Sequence, residues 1–121
     1  MEKILLFNLS EQSLSAVKRT ALVMKIKLQQ VSTEQYNSAL EDIINGEGEF
    51  GYNGELPAES MIVLCGIAGR RLEEVLMSLR KNKAVIDYKA VLTQHNCKWT
   101  PLKMLEEMEK EKKAFEEAAR R

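Results

Sequence analysis

Short unbroken apolar runs alternate with longer amphipathic stretches along this chain. The first run is Lys3-Ile-Leu-Leu-Phe7, and four consecutive apolar residues read as a strand covered on both faces. Asn8 and Leu9 turn the chain, and Ser10 stands where a hydroxyl can accept an orphan amide of a helix. Leu14, Val17, Ala21 and Met24 then recur at helical spacing, one stripe of a first helix. Ile26 to Val31 is more polar and predicts a second strand at a sheet edge. Ser32-Thr33-Glu34-Gln35 has the capping-box pattern, and Tyr36, Leu40, Ile43 and Ile44 extend it into a second helix that stops at Asn45-Gly46.

Met61-Ile-Val-Leu-Cys65 is the clearest buried strand. Gly66-Ile67-Ala68-Gly69 leads into a helix marked by Leu72, Val75, Leu76 and Leu79, with Asn82 predicted as its left-handed cap. A last strand falls within Val85 to Thr93, centred on Ala90-Val91-Leu92. Thr100 and Pro101 are a helix cap and first helical residue. Leu105, Met108, Phe115 and Ala119 share one face of that helix, with Lys112 interrupting the stripe. Glu106–Lys110, Glu109–Lys113, Glu116–Arg120 and Glu117–Arg121 are i,i+4 pairs in the favourable order. The stripe is too thin in its second half for a monomer core, so that half either projects into solvent or packs on another chain.

Strands alternating with helices predict a three-layer α/β/α fold with a four-stranded, mainly parallel sheet in the order 2-1-3-4, flavodoxin-like in topology. Residues 1–104 form the domain, and 105–121 continue the last helix beyond it. Ligands of such sheets sit beyond the carboxyl ends of the strands. Asn8, Cys65, Gly66, Thr93, His95 and Asn96 are therefore expected along one edge, with Trp99 beside them. Between 45 and 60 lies an acidic connection holding four of the six glycines, either a functional lid or a mobile loop, in which Phe50 and Tyr52 are unexpected.

Composition narrows the classes. The chain has 121 residues, 45% hydrophobic and 30% charged, enough for one globular domain. Its 18 basic and 18 acidic residues cancel, so no global field attracts nucleic acid. The opening apolar run is too short for a signal-peptide core and no stretch approaches a membrane span, which predicts a cytoplasmic protein that does not bind membranes. Cys65 and Cys97 are expected as free thiols, and the single His95 excludes a His-rich metal site.

Three pieces of chemistry stand beside blander explanations. Cys65 precedes a helix N-terminus, which can activate a thiol with His95 as its base; a packed core cysteine is the alternative. Gly66, Gly69, Arg70 and Arg71 could seat an anion such as a phosphate, because cations at the positive end of a helix are otherwise unfavourable; pairing with neighbouring carboxylates is the alternative. Trp99 could stack a ring or wedge the turn beneath the last helix, and Lys89 in an apolar strand is accounted for by snorkelling.

Cys65-Gly66, the Leu72, Leu76 and Leu79-Arg80 stripe, Tyr88-Lys89-Ala90-Val91-Leu92-Thr93, Asn96 and Trp99-Thr100 together resemble a bacterial family, domain of unknown function 3783, over residues 3 to 112. The resemblance implies a bacterial cytosolic setting and fixes no catalytic residue. The order of elements also resembles response-regulator receivers. Asn8-Leu9 and Cys65-Gly66 stand where those carry acidic residues, which excludes phosphoryl acceptance there. The leading expectation is a non-enzymatic regulatory or interaction module. It has no cofactor, and a partner or second copy binds through the C-terminal helix. The alternatives are a small enzyme using Cys65, or a phosphate- or nucleotide-binding domain at Gly66 to Arg71.

Overall fold

Apolar residues at every position of a strand demand cover on both faces, and this chain supplies it. The computed structural model describes residues 1–120. Its strands are β1 (Lys3–Phe7), β2 (Lys27–Gln30), β3 (Met61–Cys65) and β4 (Tyr88–Val91); its helices are α1 (Glu11–Met24), α2 (Leu40–Ile44), α3 (Gly69–Lys81) and α4 (Pro101–Ala119). Alternation along β1 and β3 divides the core in two. Ile4, Leu6, Ile62 and Leu64 pack with Val17 of α1 and with Val75 and Leu79 of α3. Leu5, Phe7, Met61, Val63 and Cys65 pack with Tyr36, with Leu40 and Ile43 of α2, and with Met104 and Leu105 of α4. The three-layer arrangement is thereby formed.

The sheet has the expected order β2-β1-β3-β4, with β2 at an edge. Two of its three pairings are parallel, β1 with β2 and β3 with β4. The central pairing departs from a flavodoxin-like topology: β1 and β3 are antiparallel, with Lys3 opposite Cys65 and Phe7 opposite Met61. A parallel neighbour needs a crossover long enough to carry the chain back across the sheet. Here α2 has only five residues, and the segment after it returns to the end where β1 finishes. So β3 starts there and runs the other way.

The predicted second helix is interrupted. Ser32 accepts from the Glu34 amide, and a single 3-10 turn, Thr33–Gln35, follows. Gln35 does not close a capping box; its side-chain amide donates to the Glu47 carbonyl at 3.1 Å, and the Ser38 hydroxyl donates to the Glu49 carbonyl at 2.7 Å. Both residues are buried. With the Tyr52 amide donating to the Glu34 carbonyl, these bonds strap the start of the acidic segment onto the turn. Tyr52 packs against the core, whereas Phe50 is 63% exposed. α2 begins only after an extended Ala39 and has no side-chain cap. Its first amides donate instead to the Trp99 and Cys97 carbonyls, each at 2.9 Å.

The other helix ends follow the sequence more closely. Ser10 accepts from the Ser13 amide, and Thr100 accepts from Lys103 ahead of Pro101. At the end of α3 the left-handed residue is Lys83 (φ 60°), not Asn82. Asn82 donates to the Thr20 hydroxyl at 2.9 Å, tying α3 to α1. No described helix is long and apolar enough to cross a membrane.

Candidate functional site

The antiparallel centre of the sheet splits the expected strand-end site. Cys65, Gly66, Thr93 and Asn96 gather at the end where β1 begins; Asn8 follows the other end of β1, beside the start of β3.

At the Cys65 end most of the candidate polar groups serve the fold. Cys65 is buried, its thiol donates to the Val63 carbonyl at 3.5 Å, and burial pushes its pKa up to about 11. That thiol is protonated at neutral pH, contrary to the activated nucleophile the sequence allowed. His95 is exposed, its ring meeting Trp99 edge-on at 5.6 Å; among the described residues no hydrogen bond joins it to Cys65. Gly66 takes φ 69°, and a Cβ there would collide with the Met1 carbonyl, so glycine is required by a close backbone approach.

Arg71 grips both oxygens of Glu2, at 2.9 Å, and also donates to the Met24 carbonyl at the end of α1. The Arg71–Glu2 hydrogen bonds hold the Glu2 carboxyl below its usual range and push the guanidinium's pKa up. The cation at a helix N-terminus is thus answered by a carboxylate and the carbonyl end of another helix. An anion site at Gly66, Gly69, Arg70 and Arg71 would have to displace that arrangement; of its four residues only Gly69 and Arg70 carry no such duty.

Thr93 and Asn96 build a turn. The Asn96 side chain accepts from the Thr93 amide at 2.8 Å and donates to the Val91 carbonyl at 3.1 Å, while the Thr93 hydroxyl accepts from the His95 and Asn96 amides. Trp99 packs against the core with Lys103 5.8 Å above its ring, the wedge rather than a stacking platform. This turn also presents the carbonyls that receive α2.

At the opposite end Asn8 (φ 58°) donates to the Ala58 carbonyl at 3.0 Å. Asp87 accepts from the Ser60 amide at 2.8 Å, and Ser60 accepts from the Asp87 amide at 3.0 Å. They border an open cleft of about 420 Å³ near the start of α1. Its Asn8, Ser60 and Asp87 close the acidic segment onto β1 and β4.

What the fold leaves uncommitted is the far half of α4. Nineteen residues span about 28 Å at 1.5 Å each, against about 13 Å for the four residues of β4. Pro101, Met104 and Leu105 are buried and Met108 packs at their margin; from Glu109 to Arg120 every residue is exposed. The exposed stretch therefore starts a turn later than position 105. Lys112 lies 5.9 Å from the centre of the Tyr88 ring, the first residue of β4. Beyond it Phe115 is 77% exposed, overhanging a notch of about 400 Å³ that also touches Met108, Glu111 and Asp87. Of the predicted surface pairs, Glu106–Lys110 and Glu109–Lys113 form, each at 3.2 Å. Glu116 and Arg120 form no bridge among the described residues, and Arg121 lies outside them.

Residues 60–115 match the family model of a domain of unknown function, DUF3783. The match covers β3, α3, β4 and α4 as far as Phe115, a narrower span than the 3 to 112 expected, and leaves β1, α1, β2 and α2 outside it. No curated protein and no solved structure matches the chain. Lys89 to Thr93, Asn96 and Trp99, on which the resemblance rested, lie inside the DUF3783 stretch. So do Phe115 and Lys112, on the helix the sequence offered as a partner-binding element, and Tyr88, which it did not assign to a site. The signal for Phe115 was present: 105, 108, 112, 115 and 119 continue one stripe past the point where the sheet can cover it.

Proposed function

We propose that this chain is a cytoplasmic, non-enzymatic interaction module whose docking element is the projecting half of α4. The observation that carries this reading is Phe115, 77% exposed on a helix whose every described residue past Met108 faces water. A large aromatic held clear of its own core by a rigid helix is a preorganised anchor, the residue type that dominates interface energies. The buried Cys65 thiol supports a non-catalytic reading. The test compares pull-downs by the tagged full chain and its Phe115→Ala variant. Loss from the variant of a bound protein, whether another protein or the untagged chain itself, is expected. Retention of everything the parent captures, or capture of nothing by either, overturns the reading.

A further inference from the structure

On the opposite face of the sheet from α4, a groove of about 260 Å³ runs between α3 and β4. Leu64, Leu76, Ala84 and Val91 line it, with Arg80 and Lys89 at its rim. Neither cation joins an ion pair among the described residues. β4 is also an open edge: Tyr88 and Leu92 donate to the Ser60 and Leu64 carbonyls of the β3 side, so the amides of Lys89 and Val91 between them point away from the sheet. An apolar floor with two unpaired cations beside an open strand calls for an apolar segment flanked by carboxylates.

The chain contains one. Around Phe115, Glu111 lies one turn back on the same face and Glu116 is adjacent, and neither is in an ion pair among the described residues. The cation closest to Phe115 on that face, Lys112, is turned to the Tyr88 ring. Glu111 and Phe115 share a notch with Lys89 of their own chain, but α4 packs against the face holding Met61, Val63 and Cys65 and lines no part of the groove's floor at Leu64, Leu76 and Ala84 on the other face. The floor and Arg80 are left open to a helix from another molecule.

We infer that two copies of this chain exchange their α4 extensions, Phe115 of each entering the other's α3–β4 groove with Glu111 and Glu116 meeting Arg80 and Lys89. This rests on the reading of α4 as a docking element and names its partner as a second copy. The two surfaces differ, so a two-fold axis closes the assembly with both contacts made at once. Reciprocity is needed, since a single helical overhang covers little beside the roughly 800 Å² per partner of a stable interface.

Sedimentation velocity on the full chain and on charge-swapped variants tests it. The parent is expected to dimerise, and Phe115→Ala to weaken the dimer by about tenfold or more. Arg80→Glu/Lys89→Glu, with groove and helix both acidic, is expected to be monomeric, as is Glu111→Lys/Glu116→Lys, with both basic. Mixed in equal amounts, these two restore opposite charge at both contacts and are expected to pair. All four charged side chains substituted are exposed, and circular dichroism of each variant checks that it folds. A parent that stays monomeric at every concentration, a dimer indifferent to the variants, or a mixture that fails to pair overturns the exchange. In the monomeric case the pull-down still decides separately whether α4 docks on a different protein.

Discussion

The two halves of α4 share one stripe and one continuous backbone, yet they do opposite things. The inner half, from its Thr100 cap to Met108, closes one face of the sheet: Met104 is 2% exposed and Leu105 7%. The outer half holds Phe115 and Ala119 in the same register but leaves both exposed, Phe115 only overhanging a notch beside Asp87 and Tyr88. The same pattern of residues therefore means core in one place and available surface in the other. The end of the sheet, together with Lys112 in the stripe, draws the line between them.

The sharpest way to break this contrast is to truncate both stripes and compare. Met104→Ala should cost about 2–5 kcal/mol in chemical denaturation, since it opens a cavity that packed neighbours cannot fill. A loss below about 1 kcal/mol would mean the inner half is not core. Thr100→Ala removes the side-chain acceptor for the Lys103 amide, and about 1 kcal/mol should be lost. Because this cap starts the inner half, the effect should appear in global unfolding rather than as fraying seen only by helix-specific probes. Phe115→Ala should leave stability within about 0.5 kcal/mol of the parent when measured dilute enough to be monomeric. A larger loss there would show that the outer half is packed after all.

Strand order, the two-faced core and the caps at Ser10 and Thr100 were legible because each depends on local pattern. The direction of β3 was not, since Met61-Ile-Val-Leu-Cys65 is equally apolar read either way; what decides it is where the preceding segment delivers the chain. The break after Gln35 was hidden for a related reason. Gln35 and Ser38 have residue types that fit a helix, but their side chains bond to carbonyls of Glu47 and Glu49 in a loop that periodicity does not describe. At the candidate sites, the conflict of Arg71 with its helix dipole was readable, but its resolution lies with Glu2, distant in sequence. The α3–β4 groove gave no sequence signal, because Arg80 and Lys89 belong to different elements and become neighbours only through the fold.

The way α2 begins has a consequence for how this chain acquires its structure. A five-residue helix cannot sustain itself in isolation, because nucleation costs more than so few bonds return. Its opening amides are received by carbonyls of Cys97 and Trp99, more than fifty residues downstream. During synthesis, then, β1, α1 and β2 emerge as a unit that can begin to organise. The segment after them stays without its acceptors until β4 and the turn beyond it have formed. The opening turn of α2 is thus tied to the segment after β4, whereas the strap that holds the acidic segment is made within residues 34–52.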